Sequence, residues 1–234
     1  MQWLDGVLQD EYGVVSVLRD TDKITIRHLR HKRLAKDLVC LSFEGNGAVY
    51  RLLQGVCHEN LPRIYEVCEE SGRCTVLEEF IDGTTVAQIL KSGLYNADGV
   101  RAVMTAICDA VGFLHSVGIV HRDIKPENVM VTSAGRVILL DFDTARHYKP
   151  TATRDTVVIG TAGYAAPEQF GVAQTDGRSD IFAMGIMMNV MLTGEHPAKQ
   201  TADGSLRRVI EKCTRLDPTG RYPDVWALKK ALQD

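Results

Sequence analysis

The chain has 234 residues, a length that suits one large domain or two small lobes. Its 27 Lys and Arg residues against 30 Asp and Glu residues give a net charge of −3, so the sequence lacks the basic field that a nucleic-acid partner would require. With 45% hydrophobic and 24% charged residues, the composition is that of a globular protein and argues against a disordered or fibrous chain.

The apolar segments of the sequence are too short to predict a membrane span. The longest apolar run, Ile181 to Leu192, has twelve residues and includes Gly185 and Asn189, whereas a spanning helix needs about 20. The N-terminus lacks a basic start followed by an apolar stretch, so it predicts no signal peptide. The six cysteines form no C-x-x-C pair, which favours reduced thiols. We therefore expect a cytoplasmic protein without a membrane partner.

The first part of the chain, from about residue 12, reads as short strands. Runs of β-branched and apolar residues alternate there with charged or glycine-containing turns. One stretch between the third and fourth strands offers a turn or two of helix. The predicted strands are Val14–Leu18, Ile24–Leu29, Leu38–Phe43, Arg63–Glu69 and Cys74–Phe80, and the short helix is Ala48–Leu53. We expect a hinge near Asp82-Gly83.

From Asp98 onward the hydrophobic period changes to that of helices. Apolar residues recur there at steps of three and four, which predicts one apolar stripe along a long helix. Further helices are predicted at Asp180–Leu192, Ser205–Arg215 and Val225–Leu232.

The stretch after the long helix carries the chemistry. His121-Arg122-Asp123-Ile124-Lys125-Pro126-Glu127-Asn128 is followed by a predicted hairpin that ends at Asp141-Phe142-Asp143. Carboxylates, an amide and a lysine are thereby delivered on loops and strand ends, where scaffolds usually display reactive groups. Phosphoryl transfer needs this set: a carboxylate to receive a hydroxyl proton, metal-ligating oxygens and a cation near the transferred group.

These residues resemble the protein-kinase family. Residues 121–128 match its catalytic loop at every signature position, and Asp141-Phe142 matches the start of its metal-binding motif. Further matches follow in family order: the end of an activation segment at 160–168, the start of a buried helix at 179–185 and a late arginine motif at 217–221. Lys125 and Thr161 resemble the serine/threonine branch, and residues 163–170 are similar to compact bacterial members.

The resemblance implies an α+β fold with two lobes. A small antiparallel β lobe would occupy about residues 12–82 and a mainly helical lobe about residues 83–234, and together they would form a single protein kinase domain over residues 1–234.

The resemblance also assigns catalytic roles. Asp123 would accept the proton of the substrate hydroxyl, and Lys125 would lie against the transferring phosphate. Asn128 and Asp141 would hold Mg²⁺, with Mn²⁺ as a possible substitute. Thr161, in the segment 161–168 that we call the substrate-facing loop, would brace Asp123 and Lys125. ATP would be the phosphoryl donor, contacted by Lys125, Asn128 and Asp141.

The linker between the predicted lobes resembles the family's adenine-binding hinge. In the register of residues 78–83, Glu79 and Ile81 would supply main-chain contacts to ATP, and Glu78 would occupy the gatekeeper position, which is usually apolar.

Four further residues match structural positions of the family. Glu168 and Arg221 would form a buried ion pair, and Asp180 would anchor the backbone of the catalytic loop. Arg122 would either anchor that loop or pair with a phosphorylated activation segment. The candidate phosphorylation sites for the second alternative are Thr151, Thr153 and Thr156.

The first half departs from the family at its phosphate-binding residues. No glycine lies between Gly13 and Gly45, so the usual glycine-rich loop is replaced by a turn of charged side chains. Leu41 or Ser42 stands where the third-strand lysine is expected. The glutamate partner of that lysine is absent as well, since residues 46–54 contain no acid. Losing both charges avoids leaving one of them buried without its partner.

Three residues could compensate for these losses. Lys23 or Arg27 could reach the phosphates from a neighbouring position, although both also fit solvated surface cations. Arg27 would point the same way as Thr25 if the strand alternates. Asp143, which replaces the glycine after Asp141-Phe142, could support a metal or could be a polar loop residue.

The sequence therefore predicts a serine/threonine protein kinase with a non-standard phosphate clamp. The alternative is a pseudokinase that acts as a binding or scaffold module. A kinase-like enzyme for a small molecule is a third possibility, disfavoured by the peptide-platform character of residues 161–168. The protein substrate or binding partner is not identified by the sequence.

Overall fold

The computed structural model describes residues 6, 8, 10–148, 161, 163–170 and 175–233. The chain divides into two compact units, Met1–Asp82 and Gly83–Asp234.

The first unit is built around a five-stranded antiparallel sheet with strand order β1-β2-β3-β5-β4. Each predicted strand is present, and every end lies within two residues of its predicted position, while the short helix has the predicted bounds. The elements are β1 (Tyr12–Asp20), β2 (Ile24–His31), β3 (Asp37–Glu44), α1 (Ala48–Leu53), β4 (Ile64–Glu70) and β5 (Arg73–Glu79).

Helix α1 packs on the sheet face that carries Phe43. The rings of Tyr50 and Phe43 lie 5.7 Å apart between centroids. At the start of the helix, a Cβ on Gly47 would come within 2.6 Å of Cys74 Sγ, so the close approach of helix and sheet requires glycine there. Cys74 pairs directly with Phe43 across β3 and β5, and Leu41 is two residues from Phe43 on the same strand. These side chains therefore share one face of the sheet.

The opposite face of the same sheet carries a second apolar cluster. Leu29, Cys40 and Leu77 are buried there, with Leu8 and Tyr12 packed against them. Because both faces are partly covered, the central strand β3 is apolar at consecutive positions rather than strictly alternating.

The second unit is mainly helical, with two small antiparallel sheets of order β6-β8-β9 and β7-β10. Short 3₁₀ turns lie at Pro126–Asn128, Pro167–Phe170 and Pro218–Gly220. The helices are α2 (Val86–Leu90), α3 (Ala97–Ser116), α4 (Gly177–Thr193), α5 (Arg207–Cys213) and α6 (Val225–Gln233), and the strands are β6 (Gly83–Thr85), β7 (Ile119–Val120), β8 (Val129–Thr132), β9 (Val137–Leu139) and β10 (Arg146–His147).

Helices α3 and α4 form the interior of this unit. The predicted stripe of α3 is buried along its length, and the helix starts where the Asn96 side chain accepts a hydrogen bond from Gly99 N–H. The apolar run of α4 is buried on nearly all sides, which makes it a core helix, and the helix ends at Gly194 with a φ of 75°. Within the described ranges, no helix combines the length and apolar character needed to cross a membrane.

The chain is thus α+β, as predicted, with its large sheet in the first unit and its long helices in the second. The sequence analysis did not predict β6 and α2. The start of α2 does carry a sequence signal, because Thr85 and Gln88 form a capping box in which each side chain binds the other residue's backbone N–H.

Candidate active site

Asp123 lies at the centre of a compact hydrogen-bonded cluster in the loop between β7 and β8. Lys125 Nζ donates to Asp123 Oδ2 and to Thr161 Oγ1, both at 2.6 Å. Thr161 Oγ1 in turn donates to Asp123 Oδ1 at 2.6 Å. Asn128 Nδ2 donates to the Asp123 carbonyl at 2.9 Å and to Oδ2 at 3.1 Å. Four side chains that were predicted to act together are therefore in direct contact.

This cluster controls the charge of Asp123, which is only 8% exposed. Burial raises the pKa of the carboxyl group, but the hydrogen bonds from Lys125 and Thr161 outweigh it, so the pKa of Asp123 lies below its ordinary value. The group is therefore a carboxylate at neutral pH and can accept a hydrogen bond from a hydroxyl group.

Asn128 and Asp141 are brought together by the hairpin of β8 and β9. Leu140 N–H donates to the Asn128 carbonyl at 2.8 Å, which places Asp141 one residue beyond that contact. Asp141 has a φ of 68°, in the left-handed region that most residues avoid. Phe142 is buried and packs edge-on against His121, with 5.6 Å between ring centroids. Asp141 is thus a strained residue next to a buried aromatic ring.

The donor chemistry of this pair fits Mg²⁺. An amide oxygen and a carboxylate are hard ligands, and Mg²⁺ commonly binds one or two such protein groups together with substrate phosphates and water. Because Asn128 Nδ2 is committed to Asp123, the amide oxygen is the atom of that side chain able to ligate a cation. In the described parts of the chain, no group of three or more His, Cys, Asp or Glu side chains forms a self-sufficient metal site.

Asp143 follows this pair and replaces the glycine expected from the resemblance. Its backbone N–H donates to Asp141 Oδ1 at 3.2 Å, and its side chain is exposed. The left-handed conformation of this turn falls on Asp141 and not on Asp143. A non-glycine residue is therefore accommodated at position 143 without left-handed strain.

Asp180, at the start of α4, holds the backbone of the catalytic loop. Its buried carboxylate accepts hydrogen bonds from His121 N–H at 3.0 Å and Arg122 N–H at 2.8 Å. His115 Nε2 is 2.8 Å from the same carboxylate. Burial raises the pKa of Asp180, but the hydrogen bond to His115 and the neighbouring charges outweigh it and lower the pKa overall. A charged carboxylate in the interior thus fixes two successive peptide groups of the loop.

Arg122 takes a left-handed conformation that these contacts stabilise. Its φ is 70°, which is costly for a residue with a long side chain. Its N–H binds Asp180, and its carbonyl accepts a hydrogen bond from Gln169 Nε2 at 2.9 Å. Both partners are fully buried. Sequence reasoning named Asp180 but missed His115 and Gln169, which have no local sequence signal because the residues they bind are 65 and 47 positions away.

Glu168 and Arg221 form a bidentate buried ion pair. Arg221 Nη1 donates to Glu168 Oε1 at 2.6 Å and Nη2 donates to Oε2 at 3.0 Å. The guanidinium group also donates to backbone carbonyls, including that of Arg178 at 2.9 Å, and stacks over Phe182. These contacts satisfy a charge that is fully buried. The pair fixes the 3₁₀ turn at the end of the substrate-facing loop.

The two hinge residues of the sequence analysis, Glu79 and Ile81, lie at the end of the first unit. Glu79 is the last residue of β5, and its N–H donates to the Arg63 carbonyl at 2.8 Å. Its side chain accepts a hydrogen bond from Arg63 N–H at 3.1 Å. Glu79 can therefore offer its N–H to a nucleotide only by breaking a sheet-edge contact. Ile81 and Glu78 are both buried. Thr151, Thr153 and Thr156 lie outside the described residues.

Comparisons with known proteins agree with this chemistry. The protein kinase domain family matches residues 15–230 of the chain. The probable serine/threonine-protein kinase PknB of Lactococcus lactis is 36% identical over 250 residues, covering 94% of this chain and 37% of the relative. The serine/threonine-protein kinase PknB of Mycolicibacterium smegmatis is 34% identical over 221 residues, covering 90% and 33%. The serine/threonine-protein kinase pkn2 of Myxococcus xanthus is 31% identical over 193 residues, covering 80% and 22%.

The chain belongs to the protein kinase domain family, because the family match covers most of its length. The resemblance to bacterial serine/threonine kinases and the two-lobe kinase fold, both predicted from the motifs, are confirmed. The chain spans 22–37% of the length of these curated relatives.

The structure also decides which residue occupies the place of the family's third-strand lysine. In that family the lysine meets a glutamate on the helix that packs against the sheet. Helix α1 covers the face that carries Phe43 and Leu41, so Leu41 stands in the lysine position and Ser42 points the other way. Leu41 is buried, with 3% of its surface exposed.

Arg27 lies on the sheet face opposite Leu41. It pairs with Cys40, and together with Thr25 and Ser42 it lines a cavity of about 460 Å³ on that face. The prediction that Arg27 and Thr25 point the same way is confirmed. The side chain of Arg27 is exposed and points away from Leu41, because residues alternate between the two faces along β2 and β3, and this favours the alternative that Arg27 is a surface cation.

Proposed function

We propose that this chain is an ATP-dependent serine/threonine protein kinase. In the reaction, the oxygen of a substrate Ser or Thr hydroxyl forms a bond to the γ-phosphorus of ATP. The bond from that phosphorus to the β–γ bridging oxygen breaks, ADP leaves with the electron pair, and the hydroxyl proton passes to Asp123. The observation that carries the proposal is the contact of Asp123 with Lys125, Thr161 and Asn128.

The roles of these residues follow from their chemistry. Asp123 is ionised at neutral pH because its pKa is lowered by Lys125 and Thr161 after burial has raised it, so it can orient the substrate hydroxyl. Lys125 holds a positive charge where the transferring phosphoryl group would develop negative charge. Thr161 ties both side chains to the substrate-facing loop.

Asn128 and Asp141 are proposed to ligate Mg²⁺, or Mn²⁺ in its place. A bound ion of this kind neutralises charge on the phosphate oxygens of ATP. Both side chains already make a hydrogen bond, since Asp141 Oδ1 accepts one from Asp143 N–H and Asn128 Nδ2 donates one to Asp123. Lys125 would contact ATP as well, and Glu79 and Ile81 are proposed to contact its adenine through main-chain groups.

A pseudokinase is the second candidate, and a specific observation favours it. Leu41 is buried where a lysine would bind the α- and β-phosphates, and α1 carries no acid to pair with such a lysine. Helix α1 instead presents Arg51, which pairs with Glu69 of β4 at 3.2 Å. A chain with these substitutions could bind partners, or even nucleotide, without useful turnover.

Phosphoryl transfer from radiolabelled ATP separates the two candidates. The assay supplies Mg²⁺ or Mn²⁺ and offers the chain itself and a generic basic protein as acceptors. The variants Asp123→Asn and Asp141→Ala each remove one proposed function, and Asp203→Asn removes an exposed carboxylate as a matched control. The kinase is supported if phosphate is incorporated on Ser or Thr, if Asp123→Asn and Asp141→Ala abolish this incorporation, and if Asp203→Asn retains it. Incorporation equal in all folded variants, or none at high protein concentration, rejects it.

Thermal stabilisation by nucleotide does not separate these candidates, since any protein that binds ATP in its native state is stabilised by it. The protein substrate, the partner and the cytoplasmic location remain predictions from the sequence.

A further inference from the structure

The substrate-facing loop has an anchor that its motif does not contain. At its start Thr161 binds Asp123 and Lys125, and at its end Glu168 binds Arg221. Between these ends, the carbonyl of Gly163 lies 2.9 Å from Nε2 of His196, which belongs to the loop after α4. This contact joins two segments that are 33 residues apart in sequence.

The hydrogen bonds of His196 define its tautomer. Ala198 N–H donates to His196 Nδ1 at 3.1 Å, so Nδ1 is an acceptor and carries no proton. The proton of the neutral ring is therefore on Nε2, which donates to the Gly163 carbonyl. One ring thus holds its own loop with one nitrogen and the substrate-facing loop with the other.

The loop that carries His196 is itself fixed to the core of the second unit. Asn189 of α4 is fully buried, and its Nδ2 donates to the carbonyls of Glu195 at 2.7 Å and Gln200 at 2.8 Å. Its Oδ1 accepts a hydrogen bond from Ala202 N–H at 2.8 Å. Because both ends of this loop are hydrogen-bonded to a core helix, the position of His196 does not depend on its contact with Gly163 alone.

Gly163 is a point where the substrate-facing loop needs support. Its φ is 92°, and among the residues that the structure describes, no atom lies within 4 Å of where a Cβ on Gly163 would be, so these residues give its backbone little packing support. The next residues are in a tight turn, with Tyr164 and Ala165 N–H both donating to the Thr161 carbonyl at 3.0 and 3.1 Å. A displaced Gly163 would disturb this turn and, through it, Thr161.

We propose that His196 is a positioning residue for the substrate-facing loop, acting through its hydrogen bond to the Gly163 carbonyl. Given the kinase activity proposed above, on which this consequence rests, His196 keeps the loop in the conformation that receives a protein substrate. Its removal is then expected to weaken the binding of protein substrate and to leave the binding of ATP unchanged.

Two substitutions separate the two hydrogen bonds of the His196 ring, the one to Gly163 and the one from Ala198. In His196→Gln, the side-chain amide nitrogen is as many bonds from the backbone as Nε2 and can still donate to Gly163. In His196→Asn, the amide oxygen can replace Nδ1 as acceptor for Ala198, but the reach to Gly163 is lost. Lys199→Ala is the matched control, since it removes an exposed ion pair with Glu195 in the same turn and no contact to Gly163.

Hydrogen exchange tests the proposal without any need for turnover. In His196→Asn, the amides of Tyr164 and Ala165 should exchange about fivefold faster, the change expected for loss of one neutral hydrogen bond. In His196→Gln and Lys199→Ala their exchange should stay close to that of the parent chain. Unchanged exchange in His196→Asn, or equally fast exchange in Lys199→Ala, would overturn the proposal.

Steady-state kinetics test the consequence for substrate. In His196→Asn, the KM for protein substrate should rise by up to about fivefold, because a smaller fraction of molecules has a competent loop. The KM for ATP should not change, and His196→Gln should restore the parent value. If the parent chain transfers no phosphoryl group, the proposed function fails while the exchange experiment still decides the role of His196. Equal rises in both KM values would contradict a role confined to the substrate-facing loop.

Discussion

Replacing Asp180 by Asn tests whether one buried carboxylate organises the catalytic loop. The carboxylate accepts three hydrogen bonds, from His121 N–H, Arg122 N–H and His115, and none of its surface is exposed. In the Asn variant, the amide oxygen can keep the two bonds made by Oδ2, but the amide nitrogen then faces Arg122 N–H, and two donors meet. The remaining bonds also lose the contribution of the negative charge.

The expected cost can be worked out from these contacts. A hydrogen bond to a charged group contributes about 1.5–3 kcal/mol and a neutral one about 1 kcal/mol. Losing one such bond and weakening the other two gives a destabilisation of about 3 kcal/mol. For a chain of this size that corresponds to a fall in Tm of about 6–12 °C. The left-handed Arg122 would lose its backbone hydrogen bond to Asp180, so the loop should also become less ordered.

Urea denaturation followed by circular dichroism measures this cost. Asp203→Asn is the control, because Asp203 is 89% exposed and pairs with Arg207 on the surface. Its free energy of unfolding should change by no more than about 0.5 kcal/mol. The reasoning would be refuted if Asp180→Asn cost no more than this control, since the carboxylate would then not stabilise the loop.

Three further predictions concern stability and pH. Glu168→Gln should lower the free energy of unfolding by about 3–5 kcal/mol, because it leaves the buried guanidinium of Arg221 without its charged partner. Gly185→Ala should lower it by about 1–3 kcal/mol, because the new Cβ would lie 2.5 Å from Cys213 Cβ between α4 and α5. Since the folded-state pKa of Asp123 lies below its ordinary value of 3.8, its contribution to stability is present above that pH and is lost as the pH falls through the folded-state pKa. Asp123→Asn should therefore flatten the acid limb of an unfolding titration.

Each of these predictions has its own control. Glu211→Gln removes an exposed partner of Arg207 and should have little effect on urea denaturation, and a similar loss in both Gln variants would argue against a special role of burial. Gly93→Ala adds a Cβ that no atom of the described part of the chain approaches within 4 Å, so equal destabilisation of both alanine variants would point to backbone effects and not overpacking. An acid limb with the same slope in Asp123→Asn and the parent chain would contradict the assigned pKa direction.

The sequence by itself determined the fold class and proposed a set of candidate catalytic residues. Turn residues and hydrophobic patterns with the periods of strands and helices act over a few positions. They predicted the strands of the first unit and helices α3 to α6 of the second close to their observed bounds, but not α2. The candidate catalytic set came from the resemblance to the protein-kinase family, whose catalytic-loop motif places Asp123, Lys125 and Asn128 within six residues.

Tertiary structure decided which sheet face each side chain occupies and which distant residues are in contact. The sequence allows either Leu41 or Ser42 in the place of the family's third-strand lysine. Only the packing of α1 on one sheet face showed that Leu41 takes this position and that Arg27 points away from it. Gln169 and His196 reach backbone carbonyls 47 and 33 residues away. Such contacts depend on how distant segments pack and not on the residues beside them. The sequence motifs therefore supplied the candidate catalytic groups, whereas the folded core determined which other groups hold them in place.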